Sequence, residues 1–408
     1  MATPAQRTNT WILNEWYDQS VAGTTGGYQW GAQLWSWGYN RDGSGGLNDK
    51  TKRSSPTQVG TNTNWKFASG NKNGYKSFGT KMDGTLWAWG QNSNGFLGID
   101  QPSNSHRSSP IQVPGTYKYA IGSAYNSFFL KDDGTLWTSG WNFEGLSALN
   151  EADGTKRSSP AQIGTESTWK SINAGRQNAG GIKTDGTLWM WGTGSSMMWV
   201  TNTPAMRSSP TQMPGTTWKY VAFGNYTAAA VKTDGTLWTW GDNGQGTLGL
   251  NGSGSSPTVN YGSGASSPIQ VGTDTNWDLV DMASTESETR SIFATKTDGT
   301  LWVWGSANQC MRNGLNGPGP GTKRSSPTQL PGTYATGFGD AGYRPQFYCD
   351  ETATAKKADG TMWIWGRGST YGGLGLNDII NRSSPTQLPG TNWIQVKGGQ
   401  SSCLAIRE

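Results

Sequence analysis

The sequence predicts an all-β fold. It is a single seven-bladed β-propeller of four-stranded blades, closed by the C-terminal strand pairing with the N-terminal repeat. Three observations carry this. Leu-Trp-x-Trp-Gly recurs seven times, beginning at Leu34, Leu86, Leu136, Leu188, Leu237, Leu301 and Met362. Ser139 replaces the second Trp in the third copy, and Met362 replaces the Leu in the seventh. Ser-Ser-Pro follows each copy, ending at Pro56, Pro110, Pro160, Pro210, Pro268, Pro327 and Pro385. Asp-Gly precedes six of the seven Trp strands, at Asp83, Asp133, Asp185, Asp234, Asp298 and Asp359, but not Leu34.

Each unit reads as four strands. Strand a precedes Asp-Gly, as in 228–232. Asp-Gly makes a tight hairpin, because both residues tolerate positive φ. Strand b is Leu-Trp-x-Trp-Gly. Its Trp pair points to one side, and the opposite side carries mostly small residues such as Ser36, Ala88 and Thr138. A bulky face can then stack on the slimmer face of the next blade. Strand c follows Ser-Ser-Pro, since Pro suits a strand's first residue. Strand d follows an aromatic marker: Trp65, Tyr117, Trp169, Trp218, Trp277, Tyr334 or Trp393. The final residues, 403–408, align with strand a and stop where the missing Asp would come. They are therefore expected to pair with 34–38 and complete the first blade, which removes open sheet edges.

Composition agrees and excludes much else. The chain has 408 residues, 60 of them Gly, which disfavours long helices. Its 23 Trp argue against disorder. No apolar run is long enough for a membrane-spanning helix, and the start shows no apolar signal-peptide core. Cys310, Cys349 and Cys403 fit neither a disulfide ladder nor a metal spacing. His106 is the single His, so a triad would have to be built on it, and no elbow motif supports one. Asp42 and Asp49 do not match a calcium loop. The expectation is a non-enzyme with no catalytic residue, cofactor or metal. The net charge of +5 does not by itself imply nucleic acid.

The run of Asp-Gly-Thr-Leu-Trp-x-Trp-Gly, a Gly-rich loop such as 90–98, Ser-Ser-Pro-x-Gln-Val and Trp-Lys-x-Val-Ala-x-Gly resembles the regulator-of-chromosome-condensation repeat family. The resemblance covers about 30–408, and its flavour is nearest the bacterial and phage branch. It implies a propeller and a choice of functions: nucleotide exchange on a small GTPase, chromatin binding, or β-lactamase inhibition. Where eukaryotic members often carry a His in the d–a region, this chain has Ser127, Thr227 and Ser402. The segment 1–29 carries one basic residue, Arg7, whereas a DNA-binding tail would be basic. It resembles the starts of repeat proteins from marine phages.

The strand order places tight turns on one face and long b–c loops and d–a links on the other. Recognition is expected on the long-loop face. Candidate contact residues there are Trp141, Phe143, Met197, Met198, Trp199, Tyr261, Tyr343, Arg344, Phe347 and Tyr348. Trp141 alternatively fills the space left by Ser139. The Arg before Ser-Ser-Pro in six units is expected to bond its own loop. Residues 1–29 form a separate docking segment carrying Trp11, Leu13, Trp16 and Tyr17, and 30–408 form the propeller. The leading expectation is a phage virion protein, an appendage or tail component. It binds other virion proteins through 1–29 and a host-surface protein or glycan through the loops. The alternatives are an interaction module in the bacterial cytoplasm and a glycan-binding propeller.

Overall fold

The computed structural model describes residues 31–70, 75–193, 206–251, 264–282, 291–306, 314–315, 323–336, the backbone of 347–349, 352–368, 371–398 and 402–408. Its strands form seven four-stranded antiparallel sheets. The strand order in each is d–a–b–c, so a blade is offset by one strand from the a–b–c–d unit of the sequence. The physical reason is the c–d turn, which steps from one blade to the next. Blade 2 is Trp65–Gly70, Lys76–Lys81, Thr85–Gly90 and Arg107–Thr116. Blade 3 is Tyr119–Gly122, Asn126–Leu130, Leu136–Trp141 and Lys156–Gln162. Blades 4, 5 and 6 begin at Trp169–Ala174, Trp218–Phe223 and Trp277–Met282. Blade 7 begins at Phe347–Cys349.

Blade 1 joins the two ends of the sequence. Gln33–Gly38 and Arg53–Gln58 supply strands b and c; Trp393–Gly398 and Ser402–Arg407 supply d and a. Leu34 pairs with Ile406, Ser36 with Leu404 and Gly38 with Ser402. The expected closure is therefore present. Each inner d strand touches the inner strands of its two neighbours, and these contacts run once around all seven blades. Side chains bond across the same seams. Gln395 Oε1 accepts from the Ala68 N–H at 3.0 Å, and Tyr119 Oη accepts from the Ile172 N–H at 3.0 Å.

Blades stack as the strand-b pattern predicts. Leu34, Leu404 and Ile406 of blade 1 lie in one cluster with Trp65 and Trp89 of blade 2. Met362 and Ile364 of blade 7 lie with Trp37 and Trp393 of blade 1. In three blades the second Trp of strand b also bonds the preceding blade's b–c loop. Trp89 Nε1 donates to Ser44 O at 2.9 Å, Trp304 Nε1 to Thr247 O at 2.8 Å, and Trp37 Nε1 to Gly373 O at 3.1 Å. The loop must carry Gly at the point of contact. A Cβ on Gly46, at φ +74°, would meet Trp89 Nε1 at 2.9 Å.

Strand c differs from expectation. It does not follow Ser-Ser-Pro but runs through it, as in Arg53–Gln58 and Arg382–Gln387. The register slips there: Gly90 pairs with Arg107 and Ala88 with Ile111. The strand is the outer edge of its blade, so the Pro ring sits in a bulge and no ladder donor is lost.

Removing 402–408 strips Leu34 and Trp35 of their ladder partners. The shortened chain is expected to lose its single cooperative melt and to be cleaved by protease within blade 1. Thermal unfolding followed by Trp fluorescence checks this; an unchanged melt would show that closure by 402–408 is dispensable.

Candidate interaction surface

The long-loop face is less irregular than its sequence suggests. In four blades strand b is followed by an Asn that bonds its loop from within. Asn40, Asn92, Asn142 and Asn243 accept through Oδ1 from Gly45, Leu97, Ser147 and Leu248 N–H, at 2.6 to 3.1 Å. The loop then latches onto strand c of the next blade. The N–H groups of Asn48, Asp100, Asn150, Asn251 and Asn377 donate to the carbonyls of Ser108, Ser158, Ser208, Ser325 and Ser54, at 2.7 to 2.9 Å. All five latch residues have φ between 53° and 61°, a region Asn and Asp tolerate. Ser55, Ser159 and Ser208 hydroxyls return bonds to the side chains of Asn377, Asp100 and Asn150. Ser-Ser-Pro is thus the receiving half of an inter-blade latch, which the spacing alone did not reveal. In the described loops, much of the backbone is therefore frame.

The arginines before Ser-Ser-Pro behave as expected where their bonds are described. Arg53 donates to Asp49 at 2.7 Å, Arg382 to Asp378 at 2.5 Å, and Arg157 to Glu151. His106 Nδ1 accepts from the Asn92 N–H at 2.9 Å, a loop-shaping bond. Among the described residues no cluster of three or more His, Cys, Asp or Glu side chains could hold a metal ion.

Two aromatic groups stand on the loop face. Trp141 and Phe143 pack with Tyr125, with ring centroids 4.6 to 5.4 Å apart. All three are half-buried. Trp141 does not fill the space left by Ser139. Phe129 occupies it: a Cβ on Gly98 would meet Phe129 Cζ at 2.9 Å and Ser139 Oγ at 3.2 Å. The second group joins blades 7 and 1. Tyr39 and Tyr371 rings lie 4.3 Å apart, with Lys52 Nζ 4.5 Å from the Tyr371 ring. The loop bearing Tyr371 also carries Ile379 and Ile380, each 59% exposed. The sequence reading missed them because one apolar pair has no periodicity.

Phe347 and Tyr348, expected in a d–a link, are ladder residues of blade 7 paired with Ala355 and Thr354. Before them, Tyr334 bridges Lys357 and the Ala335 N–H bonds the Lys356 carbonyl. Met197, Met198, Trp199, Tyr261, Tyr343, Arg344 and the docking residues Trp11, Leu13, Trp16 and Tyr17 lie outside the described residues.

The Asp-Gly face is uniform. In six blades the turn Asp accepts from the Thr two residues on, and that Thr Oγ1 accepts from the first Trp of strand b, as in Asp83, Thr85 and Trp87. A cation closes the unit. Lys81 Nζ lies 4.1 Å from the Trp87 ring and 5.2 Å from Trp65, and Lys183, Lys232 and Lys296 repeat this. In blade 1 Arg407 takes the position over Trp35 and Trp393. Bonds from the Thr85 hydroxyl and amide hold the Asp83 carboxyl below the usual carboxylate range, and Asp298 behaves alike through Thr300.

Lys76 stands apart. It is wholly buried, with Nζ donating to Asn126 O at 2.9 Å and lying 4.0 Å from the Phe96 ring. Burial pushes its pKa well below that of an ordinary lysine.

Family models for the regulator of chromosome condensation (RCC1) repeat match residues 83–123, 218–247 and 359–406. These segments fall in blades 2, 3, 5, 7 and 1, on the geometry just described. The chain is a seven-bladed propeller whose matched segments are RCC1-type repeats. Solved RCC1-like structures agree in fold. Yeast RCC1 (Prp20) bound to Kap60 superposes with a TM-score of 0.74 at 17% identity, over 100% of this chain and 96% of that one. Human WBSCR16 gives 0.75 at 16%, over 92% and 99%. Prp20p from Saccharomyces cerevisiae, described with its binding to Gsp1p and histones, gives 0.74 at 18%, over 93% and 92%. No curated protein matches this chain by sequence.

Lys76→Met is expected to stabilise the RCC1-type propeller by about 1–2 kcal/mol near neutral pH, since a buried charge lacking an acidic partner is costly. The folded-state pKa is depressed, so between it and the unfolded value of about 10.4 the unfolded chain binds the extra proton and stability rises with pH. The advantage of Met therefore shrinks as pH approaches the unfolded value, which urea unfolding at several pH values measures. For the turn carboxylates the sign is opposite. Their stabilisation is present above the unfolded pKa of about 3.9 and is lost as pH falls through the folded value. The pair Asp83→Asn and Asp298→Asn keeps the acceptor and removes the charge. It is expected to flatten the acid limb of the same curves.

Proposed function

We propose that this chain is a non-enzymatic protein-interaction propeller that receives a partner on its long-loop face, at the boundary of blades 7 and 1. The observation that carries this is Ile379 and Ile380, both more than half exposed on a loop that is tied down on every side. Arg382 bonds Asp378 and the Ile380 carbonyl, Asn381 Oδ1 accepts from the Gly368 N–H, and Asn377 is latched to Ser54. An apolar pair fixed in place loses little entropy on binding, and neighbouring Tyr and Lys side chains supply a polar rim. The similar yeast proteins, with Kap60, Gsp1p and histones as partners, give the reading support from the fold.

The finer reading is that the partner belongs to a phage virion or a host surface. It rests on the flavour of the repeats and on the Trp-rich segment 1–29. Copurification with particles, and light scattering of the full chain against one lacking 1–29, test it.

The general reading is tested by affinity capture from the native lysate. Wild type and an Ile379→Asp/Ile380→Asp variant, both checked for an unchanged melt, are compared with Trp141→Ala. A discrete protein held by wild type and reduced at least about tenfold by the Asp pair supports the site. Equal retention by the Asp pair overturns it. Loss only in Trp141→Ala moves the site to the Tyr125–Trp141–Phe143 group.

A further inference from the structure

The inner strands share a feature at their first turn, on the Asp-Gly face. After the aromatic marker the ladder slips by one residue. Trp65 pairs with Lys81 and Phe67 with Thr80, leaving Lys66 as the extra residue of a bulge. The same slip isolates Lys170, Lys219, Asp278 and Ile394. In blade 3 the Lys118 N–H bonds the Leu130 carbonyl while Tyr119 is the ladder partner of Leu130, so Lys118 holds the equivalent place. In blade 7 that place belongs to Ala335, next to Tyr334 in its bridge with Lys357. A bulge turns its extra side chain out of the ladder. Here the ladder is the wall of the central channel, so seven side chains ring its mouth.

Their identities are not evenly mixed. Blades 2 to 5 present Lys66, Lys118, Lys170 and Lys219 in succession, and blades 6, 7 and 1 present Asp278, Ala335 and Ile394. Side chains at neighbouring positions reach one another. Lys219 Nζ lies 2.7 Å from Asp278 Oδ1 across the seam of blades 5 and 6. Lys118 feels both of its lysine neighbours: burial lowers its pKa first, Asp132 opposes, and Lys66 and Lys170 lower it further. A bound anion would offset the repulsion among these lysines. Lys170 is exposed and Lys66 and Lys118 are half-exposed, so the crescent is open to solvent. Across the mouth stand Ala335 and Ile394, both half-buried, with Ile394 resting in part on the core between blades 1 and 2.

We infer that the channel mouth on the Asp-Gly face is a second binding site, which takes an acidic segment of a protein partner. Carboxylates of the segment meet Lys66, Lys118 and Lys170, and an apolar residue meets Ile394. The charge is all ammonium, without the planar fork that favours phosphate. The crescent also stops at Asp278, whereas a nucleic-acid backbone needs a longer basic track. This extends the interaction-propeller reading to the opposite face and stands on different residues.

The test uses the full chain and a fluorescein-labelled octaglutamate peptide, read by anisotropy at low and moderate salt. Lys66→Glu/Lys170→Glu is compared with Lys50→Glu/Lys156→Glu, which makes the same change of net charge on the long-loop face. The expected result is saturable binding by wild type that weakens with salt, a loss of about tenfold or more in the first pair, and a change within about twofold in the second. Ile379→Asp/Ile380→Asp is expected to bind the peptide as wild type does, so failure of the loop-face site leaves this result unaffected. Absence of saturable binding, or equal loss in both Lys pairs, overturns the proposal. Displacement of the peptide by inorganic phosphate or an oligothymidylate at lower concentration than by unlabelled peptide also overturns it, in favour of a phosphate ligand.

Discussion

The propeller depends on one contact made again at each seam: the indoles of one blade lie on the slim face of the blade before. Trp37, Trp89, Trp191, Trp240, Trp304 and Trp365 are among the largest side chains with under 2% exposure. Burying an aromatic of this size removes about 150–250 Å² from water, worth about 4–6 kcal/mol at the usual coefficient and less against a compact unfolded chain. No single blade can gain this, because its own Trp face needs a neighbour. The ring follows from that need. Blade 3 shows that the requirement is bulk rather than indole, since Phe129 takes the space beside Ser139.

Closure has a local cost that is visible in blade 1. The other six blades have an Asp-Gly-Thr turn between strands a and b, and its Thr accepts the first indole N–H. In blade 1 strands a and b are 402–407 and 33–38, which no such turn connects. Trp35 Nε1 has no partner among the described residues, and Arg407 stands in for the Lys of the other blades. Ala32 bonds Trp65 through its carbonyl where other blades use the turn Gly, as Gly134 does for Trp169. The seam is held by the Leu34–Ile406 ladder and by packing, not by the turn.

The loops explain why the candidate site was only partly legible. Their sequences look variable because the frame uses few residues: an Asn after strand b, a Gly against the indole, and an Asn or Asp in left-handed conformation. Asn40 and Asn377 are unremarkable in a chain with many Asn, and only hydrogen bonding to a neighbouring blade shows their roles. Trp141 stood out by composition, yet it contributes to a packed group with Tyr125 that no spacing linked to it. The exposed Ile379 and Ile380 lacked any periodic signature.

The sequence by itself determined the blade number, the four strands per unit, the Trp-to-slim-face stacking and the closure by 403–408. Each is a periodic or end-counting property, and periodicity survives in one dimension. Only the tertiary structure decided what crosses the seams. It set the one-strand offset between repeat and blade and made Ser-Ser-Pro the receiver of a latch. It also brought Lys66, Lys118, Lys170 and Lys219 side by side at the mouth. Those lysines lie about fifty residues apart in the chain. They become neighbours because a bulge leaves each one at the same point of its inner strand and the ring sets equivalent positions next to each other.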